Sequence, residues 1–293
     1  MSEISFAFFG TGPLAESVLA SLCNAGFIPK LLVTKPDSPQ GRNMEIKPPH
    51  IKTWCELKGI KIFQPVTLRE IDSNSPLHGE KFDVFIVAFY GKLIPEEILN
   101  IPKKGVLNVH PSLLPKYRGP SPIETALLNG DEETGVTIIK LDNEMDHGQI
   151  LVQTAFKIDE RETGGTLEVT CGQIGGELLV QSLSHYLDGT LIPKEQKHSE
   201  AVICKKITKD LGEIKLDDDV KEVRNKFRAL TPWPSLYFFI KHKDKEIRVK
   251  ITKIDLIKKV DNETKTEDII SFVIPEGKKG MSFEDFKRGY LSK

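Results

Sequence analysis

Short apolar runs and segments with helical spacing alternate over the first two hundred residues. Residues 4–9 and 82–89 are almost continuously apolar, as expected for strands buried on both faces of a parallel sheet. Residues 13–24 place leucine and valine three or four positions apart, the spacing of an amphipathic helix. Residues 30–34 and 105–109 predict two further strands. This order of elements predicts an α/β fold with a doubly wound, mostly parallel sheet, in which ligands bind at the carboxyl ends of the strands.

The pattern changes after residue 136. Residues 136–141 and 150–158 predict antiparallel strands on either side of a polar loop, and residues 165–187 predict a long helix. The polar segment that follows, residues 190–204, is interpreted as a linker. A second pattern then begins, with a short helix at 220–230 and three strands that predict a small β-barrel of the OB type. The predicted bounds are 1–189 for the larger domain, 190–204 for the linker and 205–293 for the small domain.

The composition narrows the class of protein. With 39% hydrophobic and 28% charged residues, the chain of 293 residues has the balance of a globular protein in water. No apolar run approaches the ~20 residues that a membrane helix needs, so no membrane partner is expected. The first strand begins at residue 4, from which we expect no cleavable signal and a cytoplasmic location. Four scattered cysteines predict neither a zinc site nor a disulfide framework.

Charge is distributed unevenly between the two predicted domains. Residues 205–293 contain 22 Lys and Arg against 16 Asp and Glu, a net charge of +6. The whole chain has a net charge of −1, so residues 1–204 have a net charge of −7. A basic small domain beside an acidic large one favours an anionic partner for the former, although a lysine-rich surface alone would give the same count.

Three polar residues have the chemistry for acyl transfer. Asn108 and His110 end a predicted strand two positions apart, so their side chains point to the same face. An amide that donates to an oxyanion then lies beside an imidazole that carries a proton, and Asp146 from the following polar loop would orient that imidazole. Asn and His at a strand end also commonly satisfy a turn, and Asp142 and Glu144 compete with Asp146. Spacing alone leaves both interpretations open.

A glycine-rich turn after the first strand predicts a competing function. Residues 10–15 read GTGPLA and fit the GxGxxA pattern of dinucleotide-binding proteins. Pro13 removes one backbone donor that a phosphate would use, and the acidic residue after the second strand comes late, at Asp37. We therefore interpret this segment as a tight turn between strand and helix, with a dinucleotide-dependent oxidoreductase as an alternative.

Several motifs, in order along nearly the whole chain, carry a family resemblance. They are NVHPSLLP at residues 108–115, RGPSPI at 118–123, MDHG at 145–148 and RALTPWP at 228–234. With them the chain resembles the folate-dependent formyltransferases, and among these the ones that act on methionyl-tRNA. The resemblance implies transfer of a formyl group from 10-formyltetrahydrofolate to the amino group of initiator methionyl-tRNA, without a metal and in translation initiation. It assigns catalysis to Asn108, His110 and Asp146, and we expect a monomer.

Two sets of binding residues are expected from the resemblance together with the chemistry of the side chains. A folate ring needs an apolar slot with polar groups at its rim, which is expected from Phe89, Tyr90, Gly91, Leu93, Ser112, Leu113, Leu114 and Pro115. Contacts to tRNA are expected from Arg42 and Lys47 in an exposed loop and from Lys205, Lys206, Lys209, Lys241, Lys243 and Arg248 in the small domain.

The chain departs from the family pattern at three places. Glu45 makes the Arg42 loop less basic than usual, and His147 and Gln149 stand where residues such as Thr and Asp are more common. The small domain is also roughly twenty residues short between residues 257 and 269. Two alternatives therefore stay open beside the formylation of methionyl-tRNA: a sugar-nucleotide amine N-formyltransferase and a catalytically silent tRNA-binding protein.

Overall fold

The computed structural model describes residues 4–40, 44–69, 71–72, 74–243, 245–259, 261 and 263–291. The described residues fall into two compact units. Unit 1 comprises those within Met1–Pro120, Thr134–Phe156 and Glu168–Cys204, and unit 2 those within Ser121–Glu133, Lys157–Leu167 and Lys205–Lys293. The domain bounds predicted from sequence stay a prediction.

The core of unit 1 is a seven-stranded sheet in the order β5-β2-β1-β6-β7-β8-β9. The strands are β1 (Phe6–Gly10), β2 (Leu31–Val33), β5 (Lys61–Phe63), β6 (Val84–Ala88), β7 (Val106–His110), β8 (Glu133–Lys140) and β9 (Ile150–Lys157). The first five pair in parallel, whereas β7 and β8 are antiparallel. Every residue of β1 and β6 is buried, which explains why these central strands are continuously apolar. The predicted α/β class with a mostly parallel sheet is confirmed.

Helices follow the strands of the parallel sheet, as in other doubly wound folds. They are α1 (Gly12–Asn24), α2 (His50–Glu56) and α3 (Glu96–Leu99), whereas the long α5 (Gly164–Asp188) follows β9. Helix α1 buries Leu14, Val18, Leu19 and Leu22, the residues that predicted it. An exposed hairpin of β3 (Ser38–Gln40) and β4 (Glu45–Lys47) precedes α2.

Helix α5 approaches the sheet closely because it lacks side chains where it touches its neighbours. A Cβ added to Gly175 would lie 2.5 Å from Val109 Cγ1, and one added to Gly172 would lie 2.6 Å from the carbonyl oxygen of Leu14. Neither distance is tolerated by a real side chain. Glycine at these positions therefore fixes how near α5 lies to β7 and α1.

Unit 2 contains a four-stranded antiparallel sheet in the order β10-β11-β12-β13. Its strands are β10 (Leu236–His242), β11 (Lys245–Ile254), β12 (Ile270–Pro275) and β13 (Met281–Ser282). Its helices are α4 (Pro122–Asn129), α6 (Val220–Ala229) and α7 (Phe283–Phe286), and α4 packs on α6. Asp219 caps α6 by accepting from the backbone N–H of Glu222 at 3.0 Å. The expected small β domain is confirmed. None of the helices in the described residues combines the length and apolar character needed to cross a membrane.

Candidate active site

Strand β7 places two of the predicted catalytic side chains on one face, at the carboxyl end of the parallel sheet. Asn108 pairs with Val87 on β6, and His110 pairs with Thr137 on β8. Asn108 is partly exposed and His110 is only 4% exposed. Within the described part of the chain the Asn108 side-chain amide makes no hydrogen bond, so its N–H groups can donate to a ligand.

The ring of His110 is oriented by the backbone. Its Nε2 lies 2.9 Å from the carbonyl oxygen of Tyr117. A carbonyl only accepts, so Nε2 carries a hydrogen and donates it. The nitrogen that remains for proton transfer is Nδ1, which lies 3.5 Å from Oδ1 of Asp146. Asp146 is therefore placed to act on the working nitrogen of the imidazole.

Asp146 is held in an uncommon backbone conformation. Its φ is +51°, in the left-handed region, and its Oδ2 accepts from the backbone N–H of Gly119 at 2.8 Å. The two acidic residues that competed with it face elsewhere. Asp142 binds the ring of His147 at 2.7 Å and the backbone N–H of Glu144 at 3.0 Å, and Glu144 is exposed. Asp146 is the member of this trio whose carboxylate reaches His110.

We name Asn108, His110 and Asp146, with the backbone groups of Tyr117 and Gly119, the His110 cluster. All five groups lie in unit 1. They combine an amide donor, a buried imidazole with one nitrogen bound and one available, and a carboxylate fixed by a backbone donor. Such a set can stabilise a developing oxyanion and accept a proton from a nucleophile.

The turn after β7, part of the predicted folate slot, is rigidly hydrogen-bonded. Ser112 Oγ donates to the carbonyl of Lys116 at 2.6 Å. Thr137 Oγ1 donates to the carbonyl of Ser112 at 2.6 Å and accepts from the backbone N–H of Leu114 at 3.2 Å. Gln153 Nε2 donates to the carbonyl of Leu114 at 3.0 Å. Ser112 and Leu114 are buried, whereas Leu113 and Pro115 are partly exposed.

The residues after β6 divide into two groups. The side chains of Phe89 and Leu93 are 41% and 68% exposed, and Phe89 has a φ of +50°. Tyr90 instead packs edge-on against Phe9 at 5.6 Å, and burial raises the pKa of its phenol to about 12. Its hydroxyl has no partner within the described residues. Gly91 adopts a φ of +70°. Of these side chains, Phe89 and Leu93 are available to a ligand, and Tyr90 belongs to the core.

The glycine turn that suggested a dinucleotide site is already occupied by a carboxylate. Glu168 Oε1, from α5, accepts from the backbone N–H of Leu14 in the first turn of α1 at 3.3 Å. A helix N-terminus attracts anions, and here the carboxylate of Glu168 already occupies it. A phosphate bound at the same place would be repelled by the negative charge of Glu168. This contact favours the structural interpretation of the turn.

Two buried residues that were not predicted as site residues support the Asp146 loop. Arg118 and Gln196 are 6% and 5% exposed and are hydrogen-bonded to each other. Arg118 Nη2 also donates to Nδ1 of His198 at 2.9 Å, and the His198 ring stacks on His147 at 4.0 Å. No local pattern indicated a role for Gln196, because it lies in the polar stretch that was interpreted as a linker.

The predicted tRNA-binding residues are largely exposed. Lys47 is ion-paired with Glu45 at 3.1 Å, and Arg42 lies outside the described residues. The predicted residues in unit 2 are all exposed, namely Lys205, Lys206, Lys209, Lys241, Lys243 and Arg248.

Aromatic and basic side chains share one face of β10 and β11, which we name the basic face. Cross-strand pairing places Tyr237 opposite Lys250 and Phe239 opposite Arg248, with Lys241 next along β10. Arg248 stacks over the Tyr237 ring at 3.7 Å from its centroid.

Two family models match the chain in succession. Formyl transferase matches residues 3–183, and the formyl transferase C-terminal domain matches residues 206–271. The chain is 36% identical over 261 residues to methionyl-tRNA formyltransferase of Caldanaerobacter subterraneus subsp. tengcongensis, with 87% of this chain and 82% of that protein covered. It is 35% identical over 297 residues to methionyl-tRNA formyltransferase of Thermotoga maritima, with 97% and 95% covered.

Solved structures with related folds are more distant in sequence. HypX from Aquifex aeolicus in complex with tetrahydrofolic acid superposes with a TM-score of 0.64 at 18% identity, covering 99% of this chain and 48% of HypX. The N-formyltransferase from Helicobacter canadensis, in complex with folinic acid and dTDP-3-aminofucose, superposes with a TM-score of 0.60 at 20% identity, covering 86% and 89%. At such identities these structures establish the fold, whereas the family models and the curated relatives establish that the chain belongs to the formyl transferase family.

Proposed function

We propose that this protein transfers the formyl group of 10-formyltetrahydrofolate to the amino group of initiator methionyl-tRNA. The observation that carries the proposal is the His110 cluster. There the Asn108 amide, which has no hydrogen-bond partner within the described residues, lies on the same strand as His110, and Nδ1 of His110 faces Asp146. The two curated relatives named methionyl-tRNA formyltransferase cover most of the chain and support this acceptor over others.

In the proposed reaction, the neutral amine attacks the formyl carbon, and the carbonyl electrons move to the formyl oxygen. Asn108 donates to this oxygen and stabilises its negative charge without changing its own. The attacking nitrogen becomes positive and loses a proton toward Asp146 or Nδ1 of His110. The same proton returns to the departing folate nitrogen as the carbon–nitrogen bond breaks. The products are the formylated amine and tetrahydrofolate.

Folate is proposed to lie against the exposed side chains of Phe89 and Leu93. Apolar side chains at the mouth of a site suit a flat ring, and the backbone of Tyr90 and Gly91 would supply hydrogen bonds at its rim. The other candidates for contact with folate are Ser112, Leu113, Leu114 and Pro115. Contact would be made by the partly exposed side chains of Leu113 and Pro115 or by backbone groups of this segment. In the described residues, no group of three or more His, Cys, Asp or Glu is arranged to hold a metal ion.

The basic face is the proposed contact for tRNA in unit 2. Exposed Phe239 offers a ring for a base, and Lys241, Arg248 and Lys250 offer charge for phosphates. Lys205, Lys206, Lys209 and Lys243 would extend this contact, and Arg42 and Lys47 would make a separate one from the hairpin. We also propose a role in translation initiation, a cytoplasmic location and a monomeric state.

A direct comparison of acceptors tests the proposal. Transfer of a labelled formyl group from 10-formyltetrahydrofolate is measured with charged initiator tRNA and, in parallel, with a dTDP-amino sugar. We expect efficient labelling of the tRNA and little of the sugar. Labelling of the sugar alone would make the protein a sugar-nucleotide N-formyltransferase. Tight binding of tRNA without any transfer would indicate a silent binding protein.

A further inference from the structure

The loop that carries Asp146 is held from behind by a residue fifty positions later. Gln196 Nε2 donates to the carbonyl oxygens of Asp146 at 2.9 Å and Gly148 at 2.7 Å. These carbonyls flank His147, so one side-chain amide spans the turn. Because Asp146 has a φ of +51°, a region that residues with a side chain rarely adopt, the turn needs support from outside the loop.

Arg118 fixes the orientation of that amide. Gln196 Oε1 accepts from Arg118 Nε at 3.1 Å and from Nη2 at 2.6 Å. Arginine only donates and backbone carbonyls only accept, so the two ends of the amide cannot exchange places. Both hydrogens of the amide nitrogen and its oxygen are used in a buried setting, where an unpaired polar group is costly.

The same segment reaches Asp146 at a second point. The backbone N–H of Gly119, the residue after Arg118, donates to Oδ2 of Asp146 at 2.8 Å. Arg118 thus supports the backbone of Asp146 indirectly, through Gln196. Gly119 holds the carboxylate of Asp146 directly. The remaining oxygen, Oδ1, is the one aimed at Nδ1 of His110.

We propose that Gln196, held by Arg118, is a positioning residue that aims the Asp146 carboxylate at His110. The inference rests on the proposed function, because its effect is read as formyl transfer. Misplacement of a reacting group by about 1 Å can lower a rate by about 10²-fold. Losing the support should therefore reduce kcat, whereas the folate and tRNA contacts, made elsewhere, should keep their KM values.

The decisive variant is Gln196→Glu. A glutamate retains an oxygen facing Arg118 and gains an ion pair, but it donates to neither carbonyl and places an acceptor against both. We expect kcat with charged initiator tRNA to fall about 10- to 100-fold, with both KM values within about twofold of wild type. Gln173→Glu makes the same chemical change at an exposed position of α5 and should leave kcat unchanged. Circular dichroism of both variants through thermal unfolding reports whether the fold is kept.

A double-mutant cycle separates positioning from a general structural role. If Gln196 acts through Asp146, Gln196→Glu should cost nothing more in a chain that already carries Asp146→Ala. Equal fold losses in the two backgrounds would overturn the inference, as would a wild-type kcat for Gln196→Glu alone.

Failure of the proposed function gives a different result, because the wild-type chain would then not formylate charged tRNA. The kinetic comparison would be repeated with whichever acceptor the chain uses. Crystal structures of the wild type and Gln196→Glu test the inference without any acceptor. We expect Asp146 to leave the left-handed region and its carboxylate to move away from His110 in the variant. An unchanged Asp146 would contradict the proposal.

Discussion

The His110 cluster and the basic face use polar side chains in opposite ways. Around the cluster His110, Arg118 and Gln196 are each at least 94% buried, and each is held by hydrogen bonds to neighbouring groups. On the basic face Lys241 and Arg248 are exposed, and the main contact of Arg248 is with a ring. The function of the first region therefore depends on the exact geometry of buried hydrogen bonds, and that of the second on the net charge of an exposed surface.

Geometry and charge respond to different perturbations. A buried hydrogen-bonded group has one arrangement, and removing a partner leaves the other unsatisfied. Exposed cations interact with phosphates mainly through displaced counterions, and any one of them is replaceable by a neighbour. We therefore expect point substitutions near His110 to have large effects that salt does not change, and substitutions on the basic face to have small effects that salt changes strongly.

The largest effect is expected from the cluster itself. Asn108→Ala, His110→Ala and Asp146→Ala should each lower kcat by about 10²-fold or more, at low and high salt alike. Steady-state formyl transfer measures this, and Glu144→Ala, an exposed neighbour in the Asp146 loop, serves as the matched control. Near wild-type turnover in any two of the three variants would remove the proposed mechanism.

A substitution on α5, which packs against Val109 of β7, should perturb the cluster through packing. In Gly175→Ala the new Cβ would approach Val109 Cγ1 to 2.5 Å, and Val109 lies between Asn108 and His110 on β7. Overpacking of this kind destabilises by about 1–3 kcal/mol, and we expect kcat to fall with it. Urea unfolding gives the free energy. The control is Gly79→Ala, whose Cβ would have its nearest neighbours at 4.0 Å. Equal stability of the two variants would show that β7 and α5 adjust freely.

The basic face should show the contrasting behaviour. Arg248→Gln and Lys250→Gln together should raise the KM for charged tRNA by about threefold or more, leave kcat nearly unchanged, and reduce the salt slope of tRNA affinity by about 1 per residue. Affinity is measured over a salt series, with Lys81→Gln as a control for loss of an exposed charge. A slope identical to wild type would mean that this face does not meet phosphates.

The smallest effect is expected at the base of the hairpin. Hydrogen bonds from Gln64 and Lys52 lower the pKa of the Asp37 carboxyl, which lies in an exposed setting. A lowered folded-state pKa contributes stability above the unfolded value of about 3.9 and loses it as the pH falls through the folded value. Asp37→Asn should therefore lower the thermal midpoint slightly at pH 7 and by less at pH 2.5. An equal difference at both pH values would exclude ionisation as the cause.

The sequence predicted those parts of the molecule that local periodicity determines. The buried runs of β1 and β6 and the spacing of two between Asn108 and His110 required only the pleat of a strand. The sequence could not reveal the hydrogen bond that His110 donates to the carbonyl of Tyr117, because a backbone carbonyl has no residue signature. Nor could it distinguish a solvated glutamine from a buried one, so Gln196 passed as part of a polar linker. Glu168 reaches Leu14 across 154 positions, and no pattern within one segment records such a contact.

The bond between Arg118 and Gln196 also sets an order of events during synthesis. The guanidinium of Arg118 cannot form this bond until Gln196, 78 residues later in the chain, has been synthesised. At typical elongation rates this delay is about 4–16 s, during which the sheet strands β1, β6 and β7 are already outside or leaving the ribosome. A nascent chain can thus build its sheet well before Asp146 is aimed at His110. In the growing polypeptide the catalytic site is therefore completed late, after the sheet that carries it has formed.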